Sequence, residues 1–256
     1  VNGALHEVIQ TDVDVVYHLA AIASVKWSID DPVLTDQVNA GGTLNTLQLA
    51  RHLNAKRFVF VSSAAVYGNP VAVPLTEEHR THALSPYAAS KIAGEQYVNA
   101  FEHCYDLETT VLRYFNVFGP RQDYSPYSGV ISIFINQALS GNPITVNGDG
   151  KQTRSMIYVE DVARVTARAG QVAEAHGKTM NIASPDEIAI LELAEKVKEL
   201  IPDSPSQVVH TEARKGDIQR SVASIERAKK VLDFDPKVTP TEAMKRTIDW
   251  YRLNPQ

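Results

Sequence analysis

A single cysteine, Cys104, stands in the whole sequence, so no internal disulfide can form, and no Cys/His cluster has metal-ligand spacing. Cys104 reads as a helix residue. Long apolar runs are also lacking: none approaches the length that crosses a bilayer, and the first residues do not show the basic-then-apolar pattern of a secretory signal. A cytoplasmic location is the default expectation. Basic charge is not in excess, with 25 Lys and Arg against 30 Asp and Glu for a net charge of −5. Basic clusters are as short as Lys229-Lys230, which argues against a nucleic-acid groove. Internal repeats and low-complexity linkers are missing too, so lobes would be interleaved rather than strung like beads. What is there is 256 residues with 44% hydrophobic content, enough to bury a sizeable core in one large domain or two unequal lobes.

The stretches "DVDVVYHLA" (residues 12–20) and "KRFVFVSSA" (residues 56–64) are β-branched and aromatic runs ending in small residues, the pattern of strands buried on both faces. Between them, Val38, Leu44, Leu47, Leu49 and Leu53 give an apolar stripe that predicts a helix over about Thr35 to His52. A second helix is predicted from Pro86 to about Tyr105, with Ser85 as its N-cap and Pro86 at the first helical position. "TTVLRYF" (residues 109–115) is a third strand. Strand, helix, strand, helix, strand at this rhythm implies an α/β, doubly wound parallel sheet.

After Gly119-Pro120 the chain turns rich in Gly, Pro, Asn and Asp, with a helix from Val130 to Ser140 between "GPRQDYSPYSG" and "NGDGKQ". This is the pattern of a smaller lobe of loops and short elements. A helix over Tyr158 to Glu174 and a strand in "TMNIAS" return toward the sheet. Helices are expected near Ile190 to Leu200, Ser224 to Leu232 and Pro240 to Leu253. The expected division is residues 1–118 with 156–178 for the sheet domain, and 119–155 with 179–256 for the smaller lobe.

"SSAAVYG" (residues 62–68) ends a strand, and "SPYAASK" (residues 85–91) opens the helix that follows. Tyr87 and Lys91, four apart, share one helical face one turn from each other. A tyrosine hydroxyl has an ordinary pKa of roughly 10, and a nearby ammonium favours the phenolate and brings it into range for proton transfer. Ser63, at the carboxyl end of a parallel strand, stands where open α/β sheets place ligands and can hydrogen-bond a substrate hydroxyl. A Tyr-x-x-x-Lys pair alone is usually a solvated surface pair. Its occurrence together with the serines, in the order strand, serines, helix, strand, points to an alcohol-activating trio.

On these residues the chain resembles the extended short-chain dehydrogenase/reductases, and within them the nucleotide-sugar 4-epimerases of the UDP-glucose/UDP-N-acetylglucosamine type. The likeness also runs through "HLAA" (residues 18–21), "VNAGGTLN" (residues 38–45), "LRYFNVFGPRQD" (residues 112–123), "GDGKQTR" (residues 148–154) and "RKGDIQRS" (residues 214–221). It implies a Rossmann-like domain and NAD as resident cofactor. The tyrosine matching Tyr87 takes the proton of the sugar's 4-hydroxyl while hydride passes from C4 to NAD, and the 4-keto sugar turns over and takes hydride back on its other face. Lys91 matches the lysine that binds the nicotinamide ribose and lowers the tyrosine's pKa; Ser63 matches the serine that steadies the reacting oxygen.

The same resemblance implies that Ala20, Ala21, Asn39, Ser62 and Phe115 lie along the cofactor. It assigns Asn116, Arg154 and Arg214 to the diphosphate of a UDP-sugar, as suits planar multi-donor cations on a pyrophosphate. Asp217 would accept from the ribose hydroxyls. Ser221 matches the gate beside the sugar's C2 substituent, where a small residue leaves room for an N-acetyl group. Departures are present: relatives carry an aromatic that stacks on uracil where this chain has Thr145-Val146, and Asp-Phe where it has Ser155-Met156. The sugar nucleotide is thus the firmer implication, its base the weaker one.

The family's opening strand, Gly-x-x-Gly-x-x-Gly turn and pyrophosphate-holding helix are not found in these 256 residues. Val1 stands about where the third or fourth sheet element is approached. Two alternatives to an epimerase therefore stay open: a nucleotide-sugar-binding module without NAD catalysis, and a related nucleotide-sugar dehydratase, although "SSAAVYG" lacks the Asp-Glu pair of the latter. A homodimer through the helices Thr35 to His52 and Pro86 to Tyr105 is also implied.

Overall fold

The computed structural model describes residues 12–122, 125, 128–213 and 219–255. At its centre four strands, β1 (Val15–His18), β2 (Arg57–Ser63), β3 (Glu108–Tyr114) and β8 (Lys178–Ile182), pair in the order β1-β2-β3-β8, every pair parallel. Between β1 and β2 run α1 (Val25–Asp30), α2 (Pro32–Asp36), a π-helical turn (Gln37–Gly41) and α3 (Gly42–His52). Between β2 and β3 runs α4 (Pro86–Tyr105).

Strand alternation sends neighbouring side chains of β2 and β3 to opposite faces. Phe58, Phe60 and Val111 pack with Leu47 and Ala50 of α3 and Val98 and Phe101 of α4. Val59 and Leu112 pack on the other face with α6 (Val159–Ala169) and α8 (Glu226–Leu232). Both faces are covered, which is why these strands carry no polar alternation except at their ends.

A second core lies outside the sheet. It is formed by α5 (Val130–Leu139), α7 (Ile190–Leu200) and α9 (Pro240–Leu253) around β5 (Ile144–Asn147), whose Ile144 and Val146 are fully buried. Short strands complete this lobe: β5 pairs with β10 (Val208–Thr211), β6 (Thr153–Arg154) with β11 (Arg220–Ser221) and β9 (Ile188–Ala189), and β4 (Val117–Phe118) with β7 (Ile157–Tyr158).

The α4 helix begins at its expected residue because Ser85 accepts a hydrogen bond from Ala88 N at 3.2 Å and Pro86 presets the first turn. The helix expected over Thr35 to His52 starts earlier and is broken. Asp31 caps Leu34 N at 3.0 Å with Pro32 behind it, and the poor helix formers Gly41 and Gly42 accompany the π turn. The helix expected to reach Glu174 stops at Ala169, before Gly170, against which the ring of Tyr17 packs. Beyond the expected division at residue 179, β8 forms the fourth strand of the central sheet and α8 packs in the sheet's core.

Gly94 sets the distance between α4 and the sheet, since a Cβ there would stand 2.5 Å from Cζ of Phe60, itself 1% exposed. Gly94→Ala should lower stability by about 1–3 kcal/mol through overpacking, read as a fall in the urea midpoint with no change in slope.

Candidate active site

The carboxyl ends of β1, β2 and β3 open into a cavity of about 730 Å³. Ser63, Tyr87 and Lys91 all line it. Ser63 is the last residue of β2; its Oγ accepts from Ala65 N at 3.2 Å, which caps the short 3₁₀ turn Ala64–Tyr67, and it stands near enough to the Tyr87 hydroxyl to bear on that phenol's pKa. Strand end and helix start thus meet at the two hydroxyls that the sequence spacing brings forward.

Lys91 is 4% exposed, and its Nζ donates to the carbonyl of Val61 at 2.9 Å and lies 5.2 Å from the ring centre of Phe60. Burial lowers its pKa to about 8, opposed by the negative charge of Glu95. Burial pushes the Tyr87 phenol up, opposed by the nearby Ser63 hydroxyl. In this structure the Lys91 ammonium engages the Val61 carbonyl, and burial is the dominant influence on both groups.

The remaining residues divide into three groups. Ala21, Ser62, Phe115, Asn116, Arg154 and Ser221 line the same cavity. Asn116 Nδ2 donates to the Ser155 carbonyl at 2.9 Å, and Arg154 Nη1 to the Thr153 carbonyl at 2.8 Å. Ser221 stands beside Arg154 in the parallel β6–β11 register, so backbone pairing joins two loops distant in sequence. Ala20 is exposed and Asn39 is buried, and neither borders the cavity. Arg214 and Asp217 lie outside the described residues.

Asn39 acts as a tether in this structure. Its amide accepts from Ile22 N at 2.8 Å and donates to Ile22 O and Ser90 Oγ, both at 3.0 Å, so the loop after β1 is clamped to α4. Thr145 and Val146 offer no ring to a base: the Thr145 hydroxyl accepts from Gln137, and Val146 is fully buried. Sequence reading missed Ala23, Ser24, Gln122 and Gln152, which also line the cavity. The two glutamines stand inside the quoted stretches "GPRQD" and "GDGKQTR", but nothing in their spacing marks them. Small side chains at Ala21, Ala23, Ala64 and Ala65 leave space at the ends of β1 and β2, and with Lys91 and Tyr87 they fit the ribose and nicotinamide end of a dinucleotide. Among the described residues, no His, Cys, Asp and Glu gather to hold a metal ion, and no helix is long and apolar enough to cross a membrane.

A parallel sheet covered on both faces, with a serine, tyrosine and lysine at the strand ends, defines a nucleotide-cofactor enzyme of the short-chain dehydrogenase/reductase class. The chain belongs to the NAD dependent epimerase/dehydratase family, whose model matches residues 2–183. It is 37% identical over 246 residues to the UDP-glucose 4-epimerase of Mycolicibacterium smegmatis, covering 95% of this chain and 77% of that one. Its structure superposes with TM-score 0.92 on a UDP-N-acetylglucosamine 4-epimerase from Methanobrevibacter ruminantium in complex with UDP-N-acetylmuramic acid, at 34% identity, covering 98% of this chain and 80% of that one. It superposes with TM-score 0.86 on the Thermus thermophilus UDP-glucose 4-epimerase complex with NAD, at 34% identity, covering 97% and 80%.

His18 is buried on the same sheet, between α3 and the phenylalanines of β2; its Nε2 lies 3.0 Å from Thr43 Oγ1, and its pKa is lowered to about 4 by burial and by the charge of Lys91. Unfolded, it titrates near its ordinary value, so its contribution is present above about 6.5 and is lost as pH falls toward 4. The urea midpoint should therefore decline less steeply over that window in His18→Gln than in the parent. Asn39→Ala should cost about 2 kcal/mol by stranding Ile22 N–H and O, again measured by denaturation.

Proposed function

We propose that this protein catalyses NAD-dependent 4-epimerisation of a UDP-hexose or UDP-N-acetylhexosamine through a transient 4-keto sugar. The observation that carries this reading is the convergence of Ser63, Tyr87 and Lys91 with Asn116, Arg154 and Ser221 on one cavity at the strand ends. The family and the 4-epimerase relatives support the same chemistry. NAD, when bound, supplies the acceptor and donor for the C4 hydride. Tyr87 takes the proton of the sugar's 4-hydroxyl at its Oη and returns it, and Ser63 Oγ holds the same oxygen throughout. Lys91 provides the positive charge that favours the phenolate and a donor for the nicotinamide ribose. A cavity of this size lets the sugar turn between the two hydride transfers.

Arg154 and Asn116 bind the diphosphate, joined by Arg214, with Asp217 on the nucleotide ribose. Ser221, 9% exposed on the cavity wall, leaves room for an N-acetyl group at C2. A binding module without chemistry would have no use for a buried phenol aimed at a strand-end serine. We further infer a homodimer. Val38, Tyr97 and Tyr105, together with Trp27, Ile29 and Val33, expose large apolar groups on neighbouring helices. Sedimentation should give twice the monomer mass.

Tyr87→Phe should lower kcat on UDP-sugars by about 10²–10⁴-fold with little effect on KM, measured by coupled assay. Turnover should be seen with all four of UDP-glucose, UDP-galactose and their N-acetylated counterparts. Ser221→Tyr should abolish only the acetylated pair. Full activity of the Tyr87→Phe protein would reject the mechanism, and a parent active on UDP-glucose alone would reject the assignment of Ser221.

A further inference from the structure

A buried ionic cluster lies behind the cavity, and the proton chemistry above does not itself require it. Glu95, 4% exposed, follows Lys91 by one turn on α4. Its Oε1 accepts from Ser62 Oγ at 2.5 Å and from Arg113 Nε at 2.9 Å, and its Oε2 accepts from Arg113 Nη2 at 2.7 Å. Arg113 is the β3 residue paired in register with Ser62, and its guanidinium lies 4.8 Å from the ring centre of Tyr67. The Tyr67 hydroxyl donates to Asn181 Oδ1 at 2.6 Å. Helix α4 and strands β2 and β3 are thereby joined through one carboxylate, and Tyr67, beside Arg113, bonds to β8.

Taking such a pair out of water costs several kcal/mol per ion, and apolar side chains of equal volume would pack α4 on the sheet without that cost. The carboxylate therefore calls for a role beyond packing. Two groups of the active site depend on it. Ser62 is the residue before Ser63, so fixing its hydroxyl fixes the strand end that presents Ser63 to Tyr87. Lys91 faces Glu95 and Tyr87 on its own helix and neutral His18 on β1, with Arg113 of β3 standing behind Glu95. Burial works against its charge, and Glu95 works for it.

We propose that Glu95 is the positioning residue of this site, its carboxylate pinning Ser62 at the end of β2 and keeping the Lys91 ammonium charged within the cavity. The proposal rests on the reading of Tyr87 and Lys91 as the proton-handling pair. Glu95→Gln keeps the volume and an acceptor for Ser62 while removing the charge. Because it strands the Arg113 guanidinium, the double variant Glu95→Gln/Arg113→Met removes the pair as a unit.

The test follows the Cε resonance of Lys91 with pH in 13C-lysine-labelled protein, assigned by its loss in Lys91→Arg. Glu95→Gln, which leaves Arg113 charged nearby, should lower the Lys91 midpoint by about one pH unit, and the double variant should lower it by less. The alkaline limb of kcat should move down with it, and KM for the UDP-sugar should hold. In the unaltered protein the Glu95 Cδ resonance should show an inflection at the Lys91 midpoint, a reading that needs no variant to fold. An unchanged midpoint in a folded variant, or no shared inflection in the parent, overturns the proposal. A parent without epimerase activity whose Lys91 midpoint still follows Glu95 removes the reading of the reaction and leaves the role of Glu95 intact.

Discussion

The close approach of helix α4 to strand β2 is the constraint on which the site depends. Gly94 admits the ring of Phe60, and with the helix so seated Tyr87 reaches Ser63 and Lys91 reaches the carbonyl of Val61. A wider spacing would pull the phenol from the serine and leave the ammonium without its carbonyl. The site is therefore a property of packing as much as of the residues that carry its chemistry. The meeting of the two hydroxyls at one end of the helix is held by an aromatic contact two turns further along.

Charge is managed by burial in this region. Lys91 is drawn below its ordinary value and His18 far below its own, while Tyr87 is raised. These shifts favour neutral forms, as burial of ionisable groups should. The Glu95–Arg113 pair is the exception, two full charges retained side by side beneath the strand end. It keeps a fixed negative charge near a lysine whose protonation would otherwise be governed by desolvation alone.

Much of the architecture is legible in the residues. The strand ends, the Ser85 cap, Pro86 and the tyrosine–lysine spacing locate α4 and its chemistry from local rules, because each acts within one turn. The strand nature of residues 57–63 follows from its composition for the same reason. Less was legible where a residue's partner is distant. Asn39 carries a polar group in a promising stretch, yet its bonds go to Ile22 and Ser90 rather than to the cavity. The effect of burial on Tyr87 and Lys91 was not legible either, because spacing along a helix says nothing of the dielectric around it. Glu95 stood one turn after Lys91 in plain view, but its meaning depends on Arg113, supplied by a strand that only the register brings alongside.

The two serines at the end of β2 are chemically identical and adjacent, yet they look to opposite sides of the sheet. Ser62 shares the side of Phe58 and Phe60 and meets a carboxylate, whereas Ser63 meets a phenol. Sliding β2 by one position would exchange their surroundings, turn both aromatic rings out of their core and offer the phenol a hydroxyl with the wrong neighbours. Strand alignment is thus policed twice, by oil at one end and by polar partners at the other, so misaligned folding here would be silent in catalysis only if it were also unstable.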